Sequence, residues 1–196
     1  MINFAQLPKG RGAQSDGADT NLAQAPVRQL TSQASTLIIY FSRSGNTEAQ
    51  AQLASDVLRA DRYELVVQQP YPANYAASVA RATEERESQQ WPILDLSDFP
   101  SLDQYQLILL GHPIWAMTPA NPMYQFLAQM GQQLANKRVA SFSTNAGYGA
   151  GDTQIVLNKL TPASTRMLPN YTVHDIELAK TTQAFKQWLQ KMVIVK

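Results

Sequence analysis

Short runs of aliphatic and aromatic residues alternate along this chain with stretches whose apolar positions recur every three or four residues, and that alternation limits the fold. Residues 36–41 read Thr-Leu-Ile-Ile-Tyr-Phe, and residues 107–110 read Leu-Ile-Leu-Leu. Runs so poor in polar residues suit strands covered on both faces. Between and after them come helical stripes. Ala49, Leu53 and Val57 recur at i, i+4 and i+8. Met123, Phe126, Leu127 and Met130 recur at i, i+3, i+4 and i+7, as do Phe185, Trp188, Leu189 and Met192. Tyr63 to Val67 reads as a second strand, Arg138 to Phe142 as a fourth, and a fifth is expected between Ser164 and Ile176. Residues 73–90 and 151–160 complete the helices. Five strands interleaved with helices predict a doubly wound α/β fold, a parallel sheet with helices on both faces. Right-handed crossovers leave few ways to connect it.

The length of 196 residues fits one such domain. Residues 1–34 are rich in Gln, Ala, Gly, Ser and Asp and carry no sustained period, so they read as an N-terminal extension to a domain at 35–196. The absence of cysteine removes disulfides, thiolate metal sites and cysteine nucleophiles together, and fits a cytoplasmic location. With only two histidines, no metal site is expected. The net charge is +1 and the 16 basic residues are scattered, so neither nucleic acid nor an acidic membrane surface is an expected partner. No run approaches the ~20 apolar residues of a membrane span, and the first residues lack a secretory h-region. Asn170-Tyr171-Thr172 fits a glycosylation sequon by chance, and Glu84, Glu85 and Glu87 read as a solvated helix face.

In open parallel sheets ligands bind beyond the carboxyl ends of the strands, where strand order reverses. That directs attention to three loops. After the first strand, Ser42-Arg43-Ser44-Gly45-Asn46-Thr47 packs three hydroxyls and a glycine where a helix begins. Helix starts offer unpaired N–H groups and the positive end of the dipole, and so attract anions. Lacking the Lys-Ser/Thr of a P-loop, the segment suits a phosphate monoester held by neutral donors; alternatively Ser44 is only a cap. After the third strand, in Pro113-Ile114-Trp115-Ala116, the Ile and Trp lie between Pro113 and Pro119 where an apolar ring system could stack, or where Trp115 covers the sheet edge. After the fourth, Thr144-Asn145-Ala146-Gly147-Tyr148-Gly149 allows close backbone approach, or forms a flexible surface loop. His112 lies where it could influence a bound ring or protonate a substrate, but a purely structural role is the stronger expectation for it, as it is for His174.

Tyr40 to Thr47 resembles the phosphate-binding loop of the flavodoxin family, typically Ser/Thr-x-Ser/Thr-Gly-x-Thr. Gly111 to Pro119 resembles the G-x-P-I-W…P loop of a flavodoxin-like subfamily, and residues 144–149 resemble its Ser/Thr-x-x-Gly-x-Gly loop. The likeness runs over residues 36–196. It implies a flavodoxin-like five-stranded sheet in the order 2-1-3-4-5, with flavin mononucleotide (FMN) at the switch point. By the same resemblance Ser42, Arg43, Ser44, Gly45, Asn46 and Thr47 would hold the FMN phosphate. Pro113, Ile114, Trp115 and Ala116 would line the flavin ring, and Thr144, Asn145, Gly147, Tyr148 and Gly149 would reach its pyrimidine side.

Because the cofactor supplies the redox chemistry, no residue is expected as nucleophile or acid–base catalyst. The expected function is an oxidoreductase passing electrons from a nicotinamide to a small acceptor such as a quinone. An electron carrier that docks to redox partner proteins is the alternative, and a flavin-free interaction module a third. Many carrier flavodoxins are acidic around the flavin, whereas from Thr36 onward this chain has 13 basic and 13 acidic residues. That balance favours the enzyme. A homodimer is left open.

Overall fold

The computed structural model describes residues 25–194. In chain order the elements are β1 (Arg28–Gln29), β2 (Thr36–Tyr40), α1 (Asn46–Leu58), β3 (Asp61–Glu64), β4 (Val66–Val67), α2 (Tyr75–Ser88) and β5 (Leu94–Asp95). There follow β6 (Leu107–Trp115), β7 (Thr118–Pro119), α3 (Asn121–Met130), β8 (Arg138–Asn145), α4 (Thr153–Leu160), β9 (Arg166–Met167), β10 (Tyr171–His174) and α5 (Thr182–Ile194). The sheet runs β1-β3-β2-β6-β8-β10. From β3 to β10 every neighbouring pair is parallel. Counting only those five strands, the order is 2-1-3-4-5.

Alternation along the central strands builds two cores. Leu37, Ile39, Ile108 and Leu110 face one side, against Met123, Phe126 and Leu127 of α3 and Val156 and Leu157 of α4. Ile38, Tyr40, Leu107 and Leu109 face the other, against Ala51 and Ala54 of α1 and Phe185, Trp188, Leu189 and Met192 of α5. Each fully buried Leu, Ile or Phe contributes about 1.5–3 kcal/mol. Among the described residues no helix is long and apolar enough to cross a membrane.

Several elements differ from the sequence expectation, each for a physical reason. The second strand starts earlier, at Asp61, and Val66–Val67 leaves the main sheet to pair with Leu94–Asp95. The third strand continues through Gly111-His112-Pro113-Ile114-Trp115 instead of stopping at Leu110. The fourth likewise extends to Asn145, because Gly111, His112 and Pro113 pair in register with Phe142, Ser143 and Thr144. Of the expected α1 stripe, Ala49 is buried and Leu53 and Val57 are half-buried against the core, but the buried face is wider and made mostly of small or polar residues, Asn46, Thr47, Gln50, Ala51, Ala54 and Ser55 with Ala49. Small residues there let the helix lie close to the sheet.

Residues 1–24 of the proposed extension lie outside the described residues. Within the rest of it, β1 pairs antiparallel with β3, Arg28 opposite Tyr63. Thr31 then fastens the segment by donating from its N (2.8 Å) and Oγ1 (2.9 Å) to the buried Asp61 carboxylate.

Candidate functional site

The carboxyl ends of β2, β6 and β8 open into a cleft of about 520 Å³, within the usual size of small-molecule sites. Just past the end of β2, Phe41 N donates to Gly111 O at 3.0 Å. The chain then turns through Ser42 to Gly45, which has φ 91° and precedes the first residue of α1. That left-handed φ suits glycine, and no side chain caps the helix start. Ser42 Oγ instead accepts from Gly45 N (3.1 Å), which shapes the turn. Ser42, Arg43, Ser44, Asn46 and Thr47 all line the cleft. Thr47 Oγ1 shares a 2.9 Å hydrogen bond with Thr144 Oγ1 and so ties the first loop to the end of β8.

The one cation of this loop is already engaged. The buried Arg43 donates from Nε to Ser78 Oγ (3.1 Å) and from Nη2 to Pro72 O (3.1 Å) and Ala73 O (2.7 Å). It thereby holds the start of α2 against the α1 turn.

Pro113, Ile114, Trp115 and Ala116 form a second wall, joined by Met117. They belong to a hairpin: Trp115 pairs with Thr118 of β7, and both residues between them are left-handed, Ala116 at φ 49° and Met117 at φ 66°. Positive φ at both positions is the type I′ pattern, whose twist matches paired strands but which strains residues other than Gly, Asn or Asp. Trp115 is half-buried and packs edge-on against Phe41 (5.6 Å between centroids) and Tyr71 (5.0 Å). Trp115 thus packs on an aromatic core and also lines the cleft.

Thr144, Asn145 and Tyr148 line the third wall, with Ala146. Asn145 organises the loop. Its Oδ1 accepts from Gly147 N (2.8 Å) and Gly149 N (3.2 Å), and its Nδ2 donates to Thr172 Oγ1 and Val173 O. Gly45, Gly147 and Gly149 are not themselves among the lining residues. They shape the loops that are, and Tyr148 is left 74% exposed at the cleft.

His112 is not part of the cleft. Its ring is fully buried, with Nδ1 3.2 Å from Pro113 O. Against a carbonyl Nδ1 must be the donor, which makes Nε2 an acceptor. Burial lowers its pKa to about 4, so the ring is neutral near pH 7 and cannot donate a proton to a bound molecule. Among the described residues no group of three or more His, Asp or Glu is placed to hold a metal.

A fourth wall escaped the sequence reading. α2 presents Tyr75, Ser78, Val79, Ala82, Thr83 and Arg86 to the cleft, and Asp175 adds a carboxylate. The signal was the spacing of Tyr75, Val79, Ala82 and Arg86 at four, three and four residues, hidden because three of these side chains are short or polar. Glu85 is a correction of another kind. Far from being solvated, it is buried and accepts from Tyr71 Oη (2.5 Å), Asn121 Nδ2 (2.7 Å) and Arg81 Nε (2.8 Å). Burial, and then this bond to Glu85, raises the Tyr71 phenol above its ordinary pKa.

A doubly wound parallel sheet, with a cleft at the carboxyl ends of β2 and β6 and an uncapped helix start on its wall, defines an open α/β protein with a switch-point cleft. The chain belongs to the flavodoxin family, whose model matches residues 35–192. It is similar to a flavoprotein from Lactobacillus acidophilus NCFM crystallised in complex with FMN, at 26% identity over 75% of this chain and 97% of that one, with a TM-score of 0.60. An apo form of the flavoprotein from that organism, solved by NMR, matches at 25% identity, 76% and 98% coverage and a TM-score of 0.53. A candidate flavoprotein from Bacteroides uniformis shares the fold, at 24% identity, 80% and 98% coverage and a TM-score of 0.68.

Proposed function

We propose that the cleft binds FMN non-covalently and that the protein is an oxidoreductase passing electrons from a nicotinamide to a small acceptor such as a quinone. One observation carries the reading: an uncapped helix start lined by Ser42, Ser44 and Thr47 opens into the same cleft as the apolar Ile114-Trp115-Ala116-Met117 wall. The hydroxyls and first-turn N–H groups suit a phosphate dianion. The apolar wall suits a flat ring, and the volume suits a ligand of mononucleotide size. The FMN-bound relative from Lactobacillus acidophilus supports the choice of nucleotide.

When bound, FMN supplies the redox chemistry. The chain's own residues bind and orient. Thr47 and Thr144 lock two walls together, Arg43 fixes a third, and Trp115 is braced by Phe41 and Tyr71. No side chain is needed as a nucleophile. The even balance of charge in the domain favours a small-molecule reactant over electrostatic docking to a protein. Exposed Val79, Met117 and Tyr148 at the cleft favour the second reading, a carrier that docks through an apolar rim.

The visible spectrum of the purified protein before and after incubation with FMN tests the first step. Flavin bands that persist through desalting are expected, and a protein that stays colourless would instead be a flavin-free interaction module. The FMN-loaded protein is then mixed with NADH or NADPH, with and without a quinone. Rapid bleaching and turnover are expected of the enzyme, and inertness to both nicotinamides of the carrier.

A further inference from the structure

We propose that the cleft-facing stripe of α2, ending at the Arg86 guanidinium, is the subsite for the second reactant, and that this reactant carries a carboxylate on a flat apolar body. The proposal rests on the flavin reading, which uses the first three walls and leaves the fourth unexplained. Only Ser78, Ala82 and Glu85 of α2 are buried, so packing does not account for the face that Tyr75, Val79, Thr83 and Arg86 turn to the cleft. Val79 and Met117, 44% and 49% exposed, offer apolar surface to a ring.

The charges point to an anion. Among the described residues three charged side chains line the cleft: Arg43, Arg86 and Asp175. Arg43 is buried and bonded to Ser78 and two carbonyls, and Asp175 lies 3.3 Å from His174 Nε2. Arg86 is half-buried, and among the described residues its guanidinium donates to one side chain, from Nη2 to Thr83 Oγ1 (3.1 Å). Among the described residues it makes no ion pair, because Glu84 and Glu87 are exposed and Glu85 is turned to Tyr71, Asn121 and Arg81. A guanidinium has five N–H donors in a planar fork matched to a carboxylate. One such fork with a hydroxyl beside it suits a monoanion, whereas a phosphate dianion is better served by the α1 start.

The test is isothermal titration of the FMN-saturated protein, and of the protein as purified, with 2-naphthoate and its uncharged analogue 2-naphthamide. Wild type is expected to bind the carboxylate about tenfold more tightly than the amide. In Arg86→Gln the ratio falls to about one while FMN affinity is unchanged, and Arg86→Lys keeps only part of the preference. Equal binding of the two probes by wild type, or a preference that survives Arg86→Gln, overturns the proposal. Weaker FMN binding in Arg86→Gln with riboflavin binding unaltered would give Arg86 to the flavin phosphate, and also overturns it. A protein that takes up no FMN sinks the flavin reading separately. A carboxylate preference lost in Arg86→Gln would still locate the subsite.

Discussion

Fully buried and neutral, His112 sits behind Pro113 with a pKa lowered to about 4 by its surroundings, against 6.5 for a solvated histidine. The unfolded chain therefore takes up a proton as pH falls through 6.5, while the folded chain does not until near 4. Stability is fully present above pH 6.5 and is lost as the medium is acidified towards 4. Between pH 7 and pH 5 this one residue should remove about 2 kcal/mol. His112→Asn retains a donor for Pro113 O and cannot titrate. Urea unfolding at the two pH values should show that the variant loses about 2 kcal/mol less than wild type; parallel losses would mean that the ring is solvated. Ser44 offers a test at the same scale that separates folding from binding. A carboxylate at this position lies next to the positive end of α1, which favours the empty protein slightly. It also lies where the FMN phosphate is proposed to sit. Ser44→Asp is expected to leave unfolding unchanged or slightly improved and to weaken FMN by at least about tenfold, with riboflavin affinity unaffected. Equal losses for both flavins would remove the phosphate from this loop.

The β6–β7 hairpin shows how one element sets the shape of the site. Its two left-handed residues are held by the residue that precedes α4, where Asp152 N donates to Met117 O at 2.8 Å. Gly151 lies so close that an added Cβ would be 1.9 Å from the same oxygen. Gly151→Ala should therefore displace the turn, cost about 2 kcal/mol or more in unfolding experiments, and weaken FMN. Replacing Ala116-Met117 by Asn-Gly should do the reverse to stability, adding about 1–2 kcal/mol. An unchanged stability in the Asn-Gly variant would mean that the turn is not held in the left-handed region. This hairpin was hard to read from the sequence. Leu107–Leu110 announces a strand, but Gly111 and Pro113 look like its end. The strand continues because β2 stops at Tyr40, opposite Gly111, and β8 pairs on the other side as far as Thr144. A proline is tolerated where one neighbour has already ended. Glu85 was illegible for a related reason: two of its donors, Tyr71 and Asn121, lie 14 and 36 residues away, and no local pattern announces that they meet.

Across the whole molecule, alternating periods of two and 3.6 residues were enough to place five parallel strands and their covering helices, because central strands buried on both faces leave a continuous apolar trace. The three loops expected at the switch point do converge, but the cleft has a fourth wall from α2, and the edge of the sheet is clamped by Thr31 on Asp61. The α2 wall follows a helical period but through short or polar side chains, and the Thr31–Asp61 clamp follows no period, so neither stood out in the sequence. A site gathered from separated segments makes ligand binding a property of the whole fold: FMN held by the three loops must be released before any of them can unfold. FMN at a hundred times its dissociation constant should then raise stability by about 2.7 kcal/mol, a rise in Tm of roughly 5–10 °C for a domain of this size. Riboflavin at the same concentration should give a much smaller rise, since it lacks the phosphate that engages the start of α1. Scanning calorimetry of wild type and Ser44→Asp separates the contributions. The FMN shift should collapse to the riboflavin value in the variant, and an FMN shift of undiminished size there would place the ligand's charge on some other wall of the cleft.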